Sequence, residues 1–198
     1  MKNQLSSTKK IALFGTSADP PTAGHQTILK WLGEHYDLVV VWASDNPFKE
    51  HQTTLQHRSE MLQVAIDEIE PKKPNIKLYQ ELSDRRTLIT VEKARKIWKE
   101  AEFTVVIGSD LVQQITKWYH IEELLKQVKI LVVPRPGYSI TEFDLKDLRN
   151  LGGRCTIATL NAPRVSSSAY RLEQDKAVIT PAVENYIQKQ NLYSAVPQ

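Results

Sequence analysis

The sequence is poor in cysteine and in long apolar runs. Its 198 residues include a single cysteine, Cys155, which excludes an intramolecular disulfide and a Cys-x-x-Cys metal site and favours a buried packing role. No apolar run is long enough for a membrane span or for the core of a signal peptide, and the polar segment 1–10 predicts a flexible end. We therefore expect a cytoplasmic protein without a membrane partner.

The sequence also lacks a large excess of charge of either sign. The formal net charge is +3, and the sequence has neither an arginine-rich strip nor an alternation of basic and aromatic residues. This pattern argues against a nucleic-acid partner, whereas a small phosphate-rich ligand accounts for the mild basicity. The proportions of hydrophobic (41%) and charged (25%) residues are those of globular proteins. The length predicts one domain over 1–198, with a helical part at 166–198.

Short apolar runs alternate with amphipathic stretches along the chain. Runs rich in valine and isoleucine predict buried strands at 11–14, 38–42, 76–79, 103–107, 130–133 and 156–160. Helical spacing of apolar residues predicts helices at 26–35, 58–69, 91–100 and 111–125. These repeats predict an α/β fold, a doubly wound, Rossmann-like parallel sheet with helices on both faces. In such a sheet, the loops at the carboxyl ends of the strands face one ligand crevice. Here these loops are 15–25, 43–51, 108–110 and 134–138.

The last part of the chain predicts a short helical annex. Its first helix, at 170–176, follows a serine cap made of Ser166, Ser167 and Ser168. Its second helix, at 182–190, is opened by Pro181, a residue typical of the first helical position.

The segment 15–25 joins the first strand directly to a helix. Gly15 and Gly24 let a nucleotide approach the main chain, and the N–H groups at the helix start attract phosphate. The segment has neither the Gly-Lys-Ser/Thr of a Walker A loop nor Gly-x-Gly-x-x-Gly, which disfavours both of those classes. We interpret His25, at this helix start, as a donor to phosphates, although an isolated histidine is more often structural or exposed.

Two segments resemble signatures of the nucleotidyltransferase superfamily. Residues 22–25, Thr-Ala-Gly-His, are similar to its (His or Thr)-x-Gly-His motif, and 165–171, Val-Ser-Ser-Ser-Ala-Tyr-Arg, are similar to the Ile-Ser-Ser-Thr-x-x-Arg motif of several adenylyltransferases. Taken alone, the second segment is more typical of a serine cap followed by a surface arginine. Together they imply charge-stabilising, catalytic roles for His25 and Arg171. The implied ATP site also contains Gly15, Thr16, Thr22, Gly24, Ser166, Ser167 and Ser168.

Further segments resemble the nicotinate mononucleotide adenylyltransferase family. They are 46–49, 107–111 together with Trp118, and 135–138, so the resemblance extends over most of the chain. The resemblance also includes segments with an expected packing role, which are 58–62, 179–183, 186–187 and 192–193.

The resemblance implies a role for individual residues in these segments. Gly108 and Asp110 would approach the adenosine ribose, and Ser109 is expected to cap the next helix. Trp118 would stack on the pyridine ring, although core packing accounts for it equally well. The implied substrate-binding residues are Lys49, Thr87, Trp118 and Arg135. Of these, Lys49 and Arg135 would lie near phosphates or, alternatively, would be solvated surface charges.

The sequence departs from the family pattern in three places. Segment 84–91, Asp-Arg-Arg-Thr-Leu-Ile-Thr-Val, keeps only the two threonines expected around the pyridine carboxylate. Its Arg85 and Arg86 either favour an anionic nicotinate or face solvent, so the choice between acid and amide stays open. Ala18 stands where the family has phenylalanine, and Phe14 where it has glycine. We expect Phe14 to alter only strand packing, whereas Ala18 removes a bulky group near the ATP loop, so the local geometry of that loop stays open. We expect ATP binding to survive both changes.

The reaction that the resemblance implies is transfer of AMP from ATP to nicotinate or nicotinamide mononucleotide, with release of pyrophosphate. The product would be deamido-NAD or NAD. Mg²⁺ would bridge ATP oxygens without a protein metal site. The sequence shows no Ser-His-Asp or Cys-His constellation, which agrees with a transfer that needs no protein nucleophile.

A phosphopantetheine adenylyltransferase and a nucleotide sensor without turnover are the alternatives. A homo-oligomer is compatible with the sequence, which does not define the oligomeric state.

Overall fold

The centre of the protein is one sheet of parallel strands. The computed structural model describes residues 8–46, 52–160, 163 and 165–193. The strands are β1 (Lys10–Thr16), β2 (Leu38–Ala43), β3 (Ile76–Leu78), β4 (Glu102–Gly108), β5 (Val128–Val133) and β6 (Arg154–Ile157). Their spatial order is β3-β2-β1-β4-β5-β6, which confirms the predicted doubly wound fold. Because the order reverses between β1 and β4, a crevice opens between the loops that follow these two strands.

Helices cover both faces of the sheet. They are α1 (Ala23–His35), α2 (Leu55–Asp67), α3 (Thr87–Ile97), α4 (Val112–Ile115), α5 (Ile121–Gln127), α6 (Lys146–Asn150), α7 (Ser167–Glu173) and α8 (Pro181–Lys189). Short 3₁₀ turns occur at Gln80–Leu82, Ser109–Leu111, Glu142–Leu145 and Lys176–Val178. Within the described part of the chain, no helix is long and apolar enough to cross a membrane.

Both faces of the sheet are buried along the four central strands, which explains their continuous apolar runs. Along β1, Ile11 and Leu13 belong to a core cluster with α3, α4 and α5, whereas Ala12 and Phe14 belong to a second cluster with α1 and α2. A third cluster joins α2 to α7 and α8. The C-terminal helical annex is therefore packed on the domain through its own apolar contacts.

The predicted single helix at 111–125 is wrong. The chain forms the turn Ser109–Leu111 and then α4 and α5, with residues 116–120 between the two helices. His120 has a φ of 48°, in the left-handed region that an α-helix does not contain. The apolar spacing suggests one helix because both short helices bury residues in the same core cluster.

Other boundaries differ by a few residues. Strand β1 begins at Lys10, inside the segment expected to be flexible, and residues 1–7 lie outside the described part. Strand β6 begins two residues before the predicted 156, and α7 begins three residues before the predicted 170. Helix α6 has five residues and was not predicted, because it is too short to show a helical period.

Candidate active site

His25 lies in the crevice near the start of α1, with 7% of its surface exposed. Its Nδ1 accepts the main-chain N–H of Thr22 at 3.0 Å, which places the proton of the neutral ring on Nε2. Nε2 lies 2.9 Å from Thr16 Oγ1, at the end of β1. The histidine takes the place of the glutamate in a capping box. The structure therefore brings Thr16, Thr22 and His25 together, with an N–H of the ring at the helix start.

The two glycines of this loop lie where a side chain has little room. A Cβ at Gly15 would come within 2.6 Å of the Trp42 ring. A Cβ at Gly24 would lie 3.2 Å from Val165 Cγ2, and Val165 opens the second signature. The contact at Gly24 is thus a point where the two predicted phosphate-binding segments meet.

Hydrogen bonds fasten the second signature to the first loop. Ser167 Oγ donates to the Pro20 carbonyl at 2.7 Å, and Arg171 Nη1 donates to the Asp19 carbonyl at 2.6 Å. Arg171 Nη2 donates to Ser168 Oγ at 3.2 Å. These contacts hold the arginine beside the loop that carries the histidine.

Ser166 is the N-cap of α7, and its Oγ accepts the Ala169 N–H at 3.1 Å. The helix-cap interpretation is therefore confirmed for this serine. The roles of Ser166, Ser167 and Ser168 toward phosphate stay predictions, and the start of α7 beside the first loop is the arrangement that those roles require.

A buried carboxylate organises the first loop, and sequence reasoning does not identify it. Asp19 is 1% exposed. Its Oδ1 accepts hydrogen bonds from Tyr193 Oη at 2.5 Å and Thr53 Oγ1 at 2.7 Å, and its Oδ2 accepts the Gln52 N–H at 2.8 Å. Burial and the hydrogen bond to Asp19 raise the pKa of Tyr193 far above its ordinary value. The phenol therefore stays protonated and acts as a donor.

Arg58 is a second buried charge near this carboxylate. It is 2% exposed, and its Nη1 donates to the carbonyls of Ser17 at 2.9 Å and Ser44 at 2.7 Å. It thereby joins the loops that follow β1 and β2. Burial lowers the pKa of the guanidinium, and the nearby charge of Asp19 opposes this shift. The available sequence signal is a charged residue one turn before the buried Met61 of the same helix.

The end of β4 forms the other side of the crevice. A Cβ at Gly108 would lie 2.3 Å from Asp110 Oδ1 and 2.7 Å from Arg135 Nε. Arg135 Nη1 is 3.4 Å from Asp110 Oδ2, whereas Asp110 Oδ1 is buried and has no hydrogen-bond partner among the described residues. Asp110 also lines a cleft of about 560 Å³. The predicted Gly108, Asp110 and Arg135 are therefore neighbours, and one carboxylate oxygen can accept further hydrogen bonds.

Ser109 does not cap the helical turn that it opens. Gly108 occupies the N-cap position, and Ser109 Oγ accepts the Arg135 N–H at 2.9 Å and donates to the Tyr138 carbonyl at 2.8 Å. The expected cap is wrong because the hydroxyl instead binds the loop after β5. It ties the carboxyl end of β4 to that loop.

The start of α3 carries positive charge. Thr87 is the first residue of this helix and Arg86 is its N-cap. The Arg86 guanidinium lies over the Tyr119 ring, 4.4 Å from the centroid. Arg85 Nε pairs with Asp45 Oδ2 at 2.9 Å. Both arginines are exposed.

The remaining predicted substrate residues have different outcomes. Trp118 is partly buried and packs against the core cluster on its side of the sheet, which supports the packing alternative for part of its ring. Its stacking on a pyridine stays a prediction. Lys49 lies outside the described residues. Within the described ranges, no group of three or more histidine, cysteine, aspartate or glutamate residues could hold a metal ion.

The sheet order and the junction of two helix starts with a histidine and an arginine define the class of α/β nucleotidyltransferases. Residues 13–173 match the family described as cytidylyltransferase-like. A Synechocystis sp. protein described as "Probable nicotinate-nucleotide adenylyltransferase" is 42% identical over 93% of this chain and 98% of its own length. A Bacillus pumilus protein with the same description is 31% identical over 94% of this chain and its whole length.

Solved structures share the fold. The Plasmodium falciparum nicotinic acid mononucleotide adenylyltransferase complexed with NaAD has a TM-score of 0.80 at 23% identity, covering 93% of this chain and 97% of that one. The same enzyme complexed with APC has a TM-score of 0.77 at 24% identity, with the same coverage. The chain belongs to the cytidylyltransferase-like family and, within it, to the nicotinate-nucleotide adenylyltransferases.

Proposed function

We propose that this protein transfers AMP from ATP to nicotinate mononucleotide, which releases pyrophosphate and forms deamido-NAD for NAD biosynthesis. The observation that carries the proposal is the junction of the two signatures at the carboxyl end of β1. There His25 has a ring N–H at a helix start, and Arg171 is held by the carbonyl of Asp19 in the same loop. Family membership supports the same reaction.

The reaction needs positioning and charge stabilisation from the protein. A phosphate oxygen of the mononucleotide forms a bond to the α-phosphorus of ATP, and the bond from that phosphorus to the bridging oxygen breaks as pyrophosphate leaves. No protein atom has to act as a nucleophile. His25 Nε2–H, which faces Thr16 Oγ1 in this structure, would donate to the phosphates when ATP is bound. Arg171 would balance the charge that accumulates on pyrophosphate.

The ATP phosphates would lie against the start of α1, a helix of 13 residues. Thr16 and Thr22 supply hydroxyl groups there, and Gly24 lets the second signature pack closely against this helix start because it has no side chain. The serines at the start of α7 would close the other side of the phosphates. The protein contributes donors to this region, which suits a polyanion.

The adenosine ribose would bind at the end of β4. The buried Oδ1 of Asp110 is an acceptor without a hydrogen-bond partner in the described part of the chain, and ribose hydroxyls are donors of the right kind. Gly108 allows close approach, since a side chain there would collide with Asp110 and Arg135.

We propose that Mg²⁺ enters with ATP, because this small cation is usually bound through substrate phosphates and few protein ligands. Mg²⁺ supplies shielding of the phosphate charge when bound. The donor groups of His25, Arg171 and the hydroxyls fit the remaining phosphate oxygens. We also propose a cytoplasmic location, where ATP is available.

We propose further that the acid is preferred to the amide. The N-terminus of α3 carries Arg86 and Arg85, and a carboxylate near it would meet both the guanidinium charge and the positive end of the helix dipole. Thr87, at the first helical position, and Trp118 would contact the pyridine. A neutral amide gains less from this positive environment.

The test measures pyrophosphate release with ATP and Mg²⁺ and one of three acceptors in parallel, which are nicotinate mononucleotide, nicotinamide mononucleotide and phosphopantetheine. We expect the highest kcat/KM with nicotinate mononucleotide. Activity confined to phosphopantetheine would replace the proposal with that alternative. Nucleotide binding without turnover of any acceptor would favour the sensor.

A further inference from the structure

The chain turns back on itself after α8. Asn191 and Tyr193 have φ values of 52° and 56°, in the left-handed region. The Leu192 N–H donates to the Ile187 carbonyl at 3.0 Å and fixes the turn. Residues other than glycine adopt such conformations where surrounding contacts hold them. The turn brings the Tyr193 side chain to the first loop of the active site.

Tyr193 contacts both segments that form the proposed phosphate site. Its Oη donates to Asp19 Oδ1 at 2.5 Å, in the loop after β1. Its ring packs edge-on against Tyr170 of α7, with centroids 5.6 Å apart and an interplanar angle of 84°. Tyr170 immediately precedes Arg171 in α7. One side chain therefore bridges the loop and the helix that carries the arginine.

Asp19 transmits this contact to Arg171 through its main chain. Its carbonyl accepts Arg171 Nη1 at 2.6 Å, while its carboxylate is fixed by Tyr193, Thr53 and Gln52. A buried carboxylate is costly unless donors surround it. Loss of one donor therefore favours a shift of Asp19 toward new partners, and the carbonyl that holds the arginine shifts with it.

We propose that Tyr193 is a positioning residue for AMP transfer, whose O–H fixes Asp19 and thereby aims Arg171 at the departing pyrophosphate. This inference rests on the proposed function. Tyr193 acts through Arg171, so it affects the chemical step more than binding of the mononucleotide.

The first experiment compares Tyr193→Phe with the matched control Tyr186→Phe. Both substitutions remove a phenol O–H that donates to a carboxylate at 2.5 Å from a half-buried tyrosine. Tyr186 lies on α8 and donates to Glu60, and it also accepts from His57 Nδ1 at 2.9 Å, outside the proposed site.

We expect kcat to fall about tenfold in Tyr193→Phe, with the KM for nicotinate mononucleotide changed less than about twofold. We expect Tyr186→Phe to keep kcat within about twofold. Equal kcat in the two variants would overturn the proposal.

A double-mutant cycle separates positioning from general destabilisation. If Tyr193 acts through Arg171, adding Tyr193→Phe to Arg171→Ala lowers kcat no further. Independent losses that multiply in the double variant would show that Tyr193 acts elsewhere and would overturn the proposal.

Amide hydrogen exchange of residues 15–25 gives a readout that does not depend on activity. We expect exchange in this segment to be faster in Tyr193→Phe than in the wild type and unchanged in Tyr186→Phe. Unchanged exchange in both variants contradicts the link between Tyr193 and the loop. If the wild type turns over nicotinate mononucleotide and Tyr193→Phe has the same kcat, the positioning role is refuted and the proposed function stands. A wild type without turnover refutes the proposed function, and the exchange data then decide whether the link exists.

Discussion

Two regions of the proposed site, the carboxyl end of β1 and the start of α3, differ in how firmly their residues are held. At the carboxyl end of β1, His25, Asp19 and Arg58 are between 1% and 7% exposed and have hydrogen-bond partners in neighbouring segments. At the start of α3, Arg85 has 68% of its side chain exposed, and its contact is an ion pair with Asp45. The proposed phosphate region is a buried framework, whereas the proposed pyridine region carries solvated charges. We infer that the first determines whether transfer occurs and the second adjusts which acceptor is used.

The largest effect should come from His25→Ala. We expect kcat to fall about 100- to 1000-fold, because the proposed donor to the phosphates is lost. The variant should also lose about 1–3 kcal/mol of unfolding free energy, since the Thr22 N–H loses its acceptor. Steady-state kinetics and urea unfolding measure the two effects. His35→Ala, an exposed histidine on the same helix, is the control. A normal kcat in His25→Ala would contradict the claim that the region at the carboxyl end of β1 determines whether transfer occurs.

Arg58→Met tests whether the phosphate side is a structural framework. We expect the unfolding free energy to fall by about 3 kcal/mol, because the buried carboxylate of Asp19 loses a nearby positive charge and two loop carbonyls lose their donor. Thermal and denaturant unfolding give the value. Arg85→Met, at an exposed ion pair, should change it by less than about 1 kcal/mol. Similar losses of unfolding free energy in the two variants would contradict the contrast between the buried region at the end of β1 and the exposed start of α3.

Asp110→Asn sharpens the account of the ATP side of the crevice. The amide keeps the shape but replaces one acceptor oxygen with a donor, so we expect the KM for ATP to rise about tenfold. The KM for nicotinate mononucleotide should stay nearly constant. Asp144→Asn is the control, because Asp144 lines the same cleft and bonds Thr141 at the surface. An unchanged KM for ATP would exclude Asp110 from ribose binding.

The smallest effect is expected at Arg86. Its replacement by alanine should reduce the preference for nicotinate over nicotinamide mononucleotide about two- to fivefold, as expected for an exposed charge. The ratio of kcat/KM values for the two acceptors measures this preference. Lys96→Ala removes the same charge near the other end of α3 and should leave the ratio unchanged. If Arg86→Ala also leaves it unchanged, the proposed origin of acid selectivity is wrong.

The sequence predicts the parts of this protein that depend on local pattern. The four central strands are recognisable as continuous apolar runs because both faces of the sheet are buried there, and the edge strands β3 and β6 still show short apolar runs. The motifs at 22–25 and 165–171 identify segments that the structure brings into contact. The bond between Asp19 and Tyr193 has no such signal, because it joins residues 174 positions apart. Helical spacing also fails to reveal the break at His120, since a left-handed residue leaves the apolar pattern intact.

The most direct test of the central claim is a single-turnover reaction with ATP labelled at the α-phosphate, Mg²⁺, nicotinate mononucleotide and excess enzyme. The account predicts that the label passes directly from ATP to deamido-NAD, with pyrophosphate formed in equal amount and no label bound to protein. Labelled protein as an intermediate, or ATP consumption without a labelled dinucleotide, would contradict direct transfer in this crevice.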